Sequence, residues 1–176
     1  MTVLEHVLRQ EIKPALGCTE PVAIAIAARH ASLQAGGTVE ALEITLSTNL
    51  FKNALEVGIP GTGGERGIPL AAALGCVIPL QTPTLTILEH VTPELLQQAR
   101  HLVERRAIKL SLAHDRRGVF IDARARGHSI GRAVIEGTHE HLVHLSRDGV
   151  VLLEESAPAV HATTSETSSR STLASL

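Results

Sequence analysis

Helical spacing of apolar residues runs through most of the N-terminal half of the chain. Apolar side chains at positions 3, 4, 7, 8 and 12 predict an amphipathic helix over residues 3–13, which Pro14 ends. Residues 21–34 are rich in alanine and apolar on most faces, which predicts a buried helix. Thr92 before Pro93 favours a helix start, because threonine caps a helix and proline suits its first position. The predicted helices are residues 3–13, 21–34, 48–57, 68–77, 85–91 and 93–105.

Apolar and polar residues alternate through most of the second half of the chain and also in one earlier segment, residues 39–46. This period of two predicts strands, and Asp148-Gly149 is a strong signal for a hairpin turn. Helices followed by turn-linked strands predict an α+β fold, in which N-terminal helices pack against an antiparallel β-meander. The predicted strands are residues 39–46, 107–113, 119–125, 129–135 and 141–145.

The last segment of the chain, Ser156 to Leu176, has a different composition. It is rich in serine, threonine and alanine and shows no apolar period. Such a segment buries too little apolar surface to offset the entropy of ordering it. We therefore predict one domain over residues 1–155, followed by a disordered Ser/Thr-rich tail over residues 156–176.

Composition and charge exclude several classes of protein. Hydrophobic residues make up 44% of the chain and charged residues 19%, which supports a buried core. With 16 basic and 18 acidic residues and no Trp or Tyr, the chain offers neither a basic field nor stacking platforms for nucleic acid. Two cysteines cannot form a disulfide framework or a four-cysteine metal site. No apolar run suits a signal core or a membrane span, so we expect a soluble cytoplasmic protein without a membrane partner.

Cys18 has the most distinctive chemical setting in the sequence. It comes just before a predicted helix, and the backbone N–H groups and dipole at a helix N-terminus favour a thiolate. Gly17 permits close backbone approach, while Thr19 and Glu20 add a hydroxyl and a carboxylate. Cys18 is therefore a candidate catalytic residue, and the alternative is a buried structural cysteine. Cys76 stands among apolar residues, so we expect it in the core.

Two loops carry candidate binding residues. Residues 47–53 follow a predicted strand, a place where loops often bind ligands, and Lys52 with Asn53 suits a carboxylate. The alternative is a capped helix start with a solvated lysine. The glycine-rich loop over residues 58–64 suits an anion bound by backbone N–H groups, although it matches neither a P-loop nor a dinucleotide fingerprint.

Three histidines raise the alternative of a zinc site. His139 and His141 would face the same side of a strand, as zinc ligands do, whereas His144 would face the other side. No third ligand stands at motif spacing, so we favour solvated strand histidines and predict no metal ligands.

Four motifs taken together resemble a known family. They are similar to the L-cysteine desulfidase family, which is related to the α subunit of iron–sulfur L-serine dehydratase. The resemblance covers roughly residues 3–155 and extends to residues 127–129 and 137–139 at predicted strand ends. The motifs are Leu16-Gly17-Cys18-Thr19-Glu20-Pro21, Ser47-x-Asn49-x-x-Lys52-Asn53, Val57-Gly58-Ile59-Pro60-Gly61-Thr62 and Ala71-Ala72-Ala73-Leu74-Gly75.

The resemblance implies a reaction and a site. Members of the family cleave L-cysteine to sulfide, ammonia and pyruvate with a [4Fe-4S] cluster, whose open iron site polarises the substrate. The resemblance implies that Cys18 is the catalytic base. The substrate-binding candidates, chosen by residue chemistry, are Ser47, Asn49, Lys52, Asn53 and Thr62.

The sequence departs from this family in its cluster ligands. The family holds its cluster with three cysteines in a C-terminal helical half, to which no part of this sequence corresponds. We therefore expect a truncated or partial lyase, inactive without that half and without a cluster of its own. The expected partners are a small amino acid, L-cysteine or L-serine, and a separate C-terminal half or partner subunit. The alternatives are an iron–sulfur L-serine dehydratase-like protein and a non-catalytic amino-acid-binding or partner domain.

Overall fold

The structure, a computed structural model, describes residues 19–155. The predicted helix over residues 3–13, the candidate residue Cys18 and the predicted tail lie outside these residues. The described chain forms four α-helices, one short 3-10 helix (Ile87–His90) and six strands. The helices are α1 (Thr19–Ala35), α2 (Thr48–Ala54), α3 (Ile68–Val77) and α4 (Pro93–Glu104). The strands are β1 (Ala41–Ser47), β2 (Ile108–Ala113), β3 (Phe120–Arg126), β4 (Ile130–Glu136), β5 (Leu142–Arg147) and β6 (Val150–Glu154).

The six strands form one sheet in the order β2-β1-β3-β4-β5-β6. From β3 to β6 the chain is a meander of antiparallel neighbours, and β1 also pairs with β3 in antiparallel fashion. Asp148 and Gly149, both with positive φ, make the β5–β6 turn that the sequence predicts. The predicted α+β fold, with helices packed on an antiparallel meander, is confirmed for the described residues.

One face of the sheet is apolar and carries all the helices of the described chain. Leu42, Ile44 and Leu46 of β1 face this layer and are fully buried, whereas the alternate residue Glu43 is exposed. Helix α1 lies across β3, β4 and β5, and α2 and α3 contact β2. A side chain at Gly131 of β4 would place its Cβ 2.0 Å from the Ala31 carbonyl oxygen of α1. The helix therefore rests directly on the strand backbone at this point.

Helices α1 and α3 pack closely because both are built from small residues. Every residue of α1 from Pro21 to Ala28 is buried, and α3 contributes Ala71–Ala73 and Gly75 to the same core. A Cβ at Gly75 would lie 2.2 Å from the Ala25 carbonyl oxygen, so the two helix backbones approach each other here without an intervening side chain. The buried core expected from the composition thus combines this close, small-residue contact between two helices with fully buried Ile and Leu side chains of the helices and the sheet.

The opposite face of the sheet is polar. Arg132 donates from Nε and Nη2 to the two carboxylate oxygens of Asp122 at 3.0 and 2.9 Å, and Lys109 lies 3.5 Å from a Glu43 carboxylate oxygen. Such a face is typical of an antiparallel sheet that is covered on one side only. Three buried residues, Phe120, Val134 and Val143, form a small separate apolar cluster.

The structure corrects several predictions about elements. Residues 85–91 form a four-residue 3-10 helix rather than a longer helix, because the Ile87 N–H bonds to the Thr84 carbonyl at 2.9 Å and closes a tight turn. Strand β2 pairs with β1 in parallel register at the sheet edge, so the sheet is mixed. His139 and His141 precede β5 and therefore do not share one side of a strand.

Candidate functional site

Of the candidate residues within the described chain, Ser47 ends β1, Asn49, Lys52 and Asn53 follow it in α2, and Thr62 belongs to the glycine-rich loop. Ser47 lies at the end of the sheet where β1 and β4 finish. Only β3 separates these two strands, so their ends lie about 10 Å apart. The Ser47 hydroxyl donates to the Gly118 carbonyl at 2.5 Å, and the Gly137 N–H donates to the Val119 carbonyl at 3.0 Å. These bonds tie the end of β1, the β2–β3 loop and the β4–β5 loop together. We call this region the β1/β4 end.

Helix α1 begins at the same place. Thr19 is its first residue, and its Oγ1 lies 3.2 Å from Nε2 of His139, a hydrogen bond between residues far apart in sequence. Next to it, the Leu85 N–H donates to a carboxylate oxygen of Glu140 at 3.2 Å, which fixes the β4–β5 loop against the segment before the 3-10 helix. Because Cys18 is covalently bonded to Thr19, this candidate residue is one peptide unit away from the residue that contacts His139.

The end of β1 and the helix α2 that follows it directly contain one capping residue and several polar residues without partners among residues 19–155. Ser47 is fully buried, and its Oγ accepts from the Leu50 N–H at 3.4 Å, which caps α2. Backbone groups thus use both the donor and an acceptor position of the Ser47 hydroxyl. Asn49, Lys52 and Asn53 of α2 are exposed, and within residues 19–155 their side chains form no hydrogen bond or ion pair. Substrate binding by these residues stays a prediction.

Thr62 organises the glycine-rich loop from within. Its buried Oγ1 donates to the Ile59 carbonyl at 2.7 Å and accepts from the Glu65 N–H at 3.0 Å. At Gly61, where φ is +76°, a Cβ would lie 2.5 Å from the Leu88 carbonyl oxygen. Glycine is therefore required here both by the backbone conformation and by the close approach of the 3-10 helix. A role for Thr62 in substrate binding likewise stays a prediction.

Cys76 has the opposite chemical character to the one expected for Cys18. Predicted to lie in the core, it is partly buried near the C-terminal end of α3 and packs against the core. Burial raises the pKa of its thiol to about 12, and the nearby Arg29 guanidinium offsets only part of that rise. At neutral pH the Cys76 thiol is therefore protonated, which makes it a weaker nucleophile than a thiolate.

Sequence reasoning missed the place of His139 beside α1. The sequence pattern predicts strand histidines, whereas the Gly137-Thr138 turn before His139 indicates that His139 lies in a loop. His141 and His144 instead contact Glu155 and Glu154 at the other edge of the sheet. Among residues 19–155 there is no group of three or more His, Cys, Asp or Glu side chains that could hold a metal ion.

Comparison with known proteins gives relatives without an assigned activity. Their printed name is UPF0597 protein. The chain is 39% identical over 150 residues to the one from Desulfatibacillum aliphaticivorans, 38% over 159 residues to the one from Geobacter sulfurreducens, and 36% over 155 residues to the one from Clostridium tetani. These matches include 84%, 90% and 88% of this chain but only 34%, 37% and 36% of the relatives. The chain thus spans about a third of the length of the curated relatives it matches.

These relatives correct the identification made from the motifs. They are named neither L-cysteine desulfidase nor L-serine dehydratase, although they match most of this chain. The assignment to that family is therefore wrong, and the expectation of a truncated iron–sulfur lyase is wrong with it. The four motifs are short, and three of them contain Gly, Ala or Pro, residues that report local backbone geometry more than chemistry.

Two further comparisons gave no match. No protein-family model matches the chain, and no solved structure matches it. No helix among residues 19–155 is long and apolar enough to cross a membrane.

Proposed function

We propose that the β1/β4 end is a thiol-based catalytic site, with Cys18 as the reactive group and His139 as its neighbour. The observation that carries this proposal is the 3.2 Å contact between Thr19 Oγ1 and His139 Nε2 at the first residue of α1. It brings an imidazole next to the residue that follows Cys18. An imidazole and a helix N-terminus are two of the groups that lower a thiol pKa and so populate the thiolate at neutral pH.

The exposed polar residues of α2 supply the second part of the proposal. Asn49, Lys52 and Asn53 follow the end of β1, and their side chains are free of partners within the described residues. One ammonium and two amides suit a small anionic molecule, most simply a carboxylate. The proposed function is thus thiol-dependent chemistry on a small anionic substrate that binds beside α2.

The reactivity of the Cys18 thiol tests the first part. The rate of alkylation at Cys18, read by peptide mass across a pH series, gives its pKa, while the protonated Cys76 remains unlabelled near neutral pH. We expect a pKa clearly below the ordinary value of about 8.5, and we expect His139→Gln to raise it. His128→Gln is the matched control, because His128 is an exposed histidine that lies against Gly37, away from α1's first residue. A Cys18 pKa at or above the ordinary value would disprove the proposal.

Protection by ligands tests the second part. Small carboxylates should slow alkylation of Cys18 in the native protein, and Lys52→Gln should remove that protection. Arg66→Gln is the control, since Arg66 is also an exposed cation. Equal protection in both variants would show that Lys52 does not bind the anion.

A further inference from the structure

The apolar face of the sheet is incompletely covered at one edge. Each residue in the inward row of β2 pairs with one in the inward row of β1: Ile108 with Leu42, Leu110 with Ile44 and Leu112 with Leu46. The β1 residues are fully buried, whereas Ile108 and Leu110 are only partly buried and Leu112 is 37% exposed. We call Ile108, Leu110 and Leu112 the β2 row. Leu55, which directly follows α2, is 45% exposed, and α2 itself contacts β2.

This exposure is unusual for the kind of strand pair involved. β1 and β2 are parallel, and parallel strands are normally covered on the face that carries the crossover helices. The alternate residues of β2, Lys109 and Ser111, are polar and exposed on the other face. The β2 row is therefore an inward-facing apolar row that the helices of residues 19–155 leave partly uncovered.

We propose that residues 3–13 of this chain form an amphipathic helix that covers the β2 row. The apolar residues of this segment, from Val3 to Ile12, recur at helical spacing and would form a stripe about 14 Å long. The β2 row spans about 13 Å, because Ile108 and Leu112 are four positions apart along the strand. The stripe and the row thus match in length and in apolar character.

The length of the connecting chain permits this contact. Lys13 and Thr19 are six residues apart, and an extended chain of that length reaches about 20 Å. Thr19 lies beside the end of β4, and β4 is three strands away from β2, or about 14 Å. The other exposed large apolar residues of the described strands lie toward the far end of the sheet. Ile130 is the first residue of β4, and Val150–Leu152 of β6, at the opposite edge, start from the β5–β6 turn.

Thiol labelling at two neighbouring positions tests the proposal in the full chain. Leu112→Cys places a thiol in the β2 row, and Ser111→Cys places one on the opposite face of the same strand. Each is combined with Val7→Asp, which puts a charge in the apolar stripe, or with His6→Asp, which puts the same charge on the polar side of the helix. Cys18 and Cys76 are resolved as separate peptides.

We expect Val7→Asp to speed labelling at position 112 by roughly tenfold or more, because a charge disfavours the apolar contact. His6→Asp should leave that rate unchanged, and the rate at position 111 should not change with either variant. A peptide of residues 1–17 added in excess should restore protection at position 112 in the Val7→Asp protein. Circular dichroism confirms that each variant is folded.

Three results would overturn the proposal. Equal labelling at position 112 in the Val7→Asp and His6→Asp proteins would show that the segment does not cover the β2 row. Protection that increases with protein concentration would assign the covering helix to a second copy of the chain. Protection of a thiol introduced by Val151→Cys, with none at position 112, would place the segment at the opposite edge of the sheet.

Discussion

Replacement of Gly75 by alanine should destabilise the protein, although alanine is the better helix former. Gly75 lies in α3, where alanine in place of glycine would by itself gain about 1 kcal/mol. The added Cβ, however, would lie 2.2 Å from the Ala25 carbonyl oxygen and 2.9 Å from its carbonyl carbon and Cα. The obstacle is the backbone of the buried stretch of α1, which cannot rotate away as a side chain can.

The expected change in the free energy of unfolding is the difference between these two opposing effects. The helices must separate by about 1 Å before the contact becomes an ordinary one, and overpacking of this kind typically costs about 1–3 kcal/mol. A rigid obstacle places the cost at the upper end of that range, so the net loss of stability should be about 2 kcal/mol. For a chain of this length that corresponds to a melting temperature lowered by roughly 4–8 °C.

Chemical denaturation followed by circular dichroism measures the change, since the chain has no Trp or Tyr for fluorescence. Gly58→Ala is the matched control, because a Cβ at Gly58 meets nothing within 4 Å and its φ is not positive. We expect the control to stay within about 0.5 kcal/mol of the native protein. A Gly75→Ala protein as stable as the control would refute the close approach of α1 and α3.

Three other changes test further contacts. Ser47→Ala should lower the free energy of unfolding by about 1–2 kcal/mol, because it removes an N-cap and a buried hydrogen bond; an unchanged urea midpoint would contradict this. A double-mutant cycle of Asp122→Asn and Arg132→Gln should show a coupling of about 1 kcal/mol, and additive effects would argue against the pair. Burial and, to a smaller extent, the Arg29 charge lower the pKa of His30. The neutral His30 side chain therefore contributes its full stability above about pH 6.5, and this contribution is lost as the pH falls below that value. His30→Gln should therefore flatten the stability profile below about pH 6.5, and an unchanged slope would count against it.

Local sequence patterns predicted the elements well where the chain's own periodicity decides the structure. Helix α3 spans Ile68–Val77 as predicted, because its run of small apolar residues suits a buried helix. The predicted N-cap at Thr92 is confirmed, since its hydroxyl accepts from the Leu95 N–H at 3.3 Å. Strands β3, β4 and β5 differ from their predicted bounds by one or two residues, whereas β6 has no predicted counterpart.

Local sequence patterns did not predict features that depend on residues far apart in sequence. The parallel pairing of β1 with β2 depends on how the intervening helices cross the sheet, which no local period encodes. The contact between Thr19 and His139 joins a helix start to a loop near the other end of the chain. Ser47 illustrates a further limit, because a strand-end serine suits ligand binding and helix capping equally until its hydrogen bonds are known.

The mixed connectivity of the sheet has a consequence for the order of folding. Strands β3 to β6 are joined by short turns, so their pairing closes small loops, whereas β1 meets β2 only after the chain from residue 48 to residue 107 has been traversed. Contacts between residues far apart in sequence form late, because closing a long loop costs more conformational entropy than closing a short one. We therefore expect backbone amides of β4 and β5 to gain protection in pulse-labelling experiments before those of β1 and β2. Simultaneous protection across all six strands would instead indicate that the sheet assembles in one concerted step around β1.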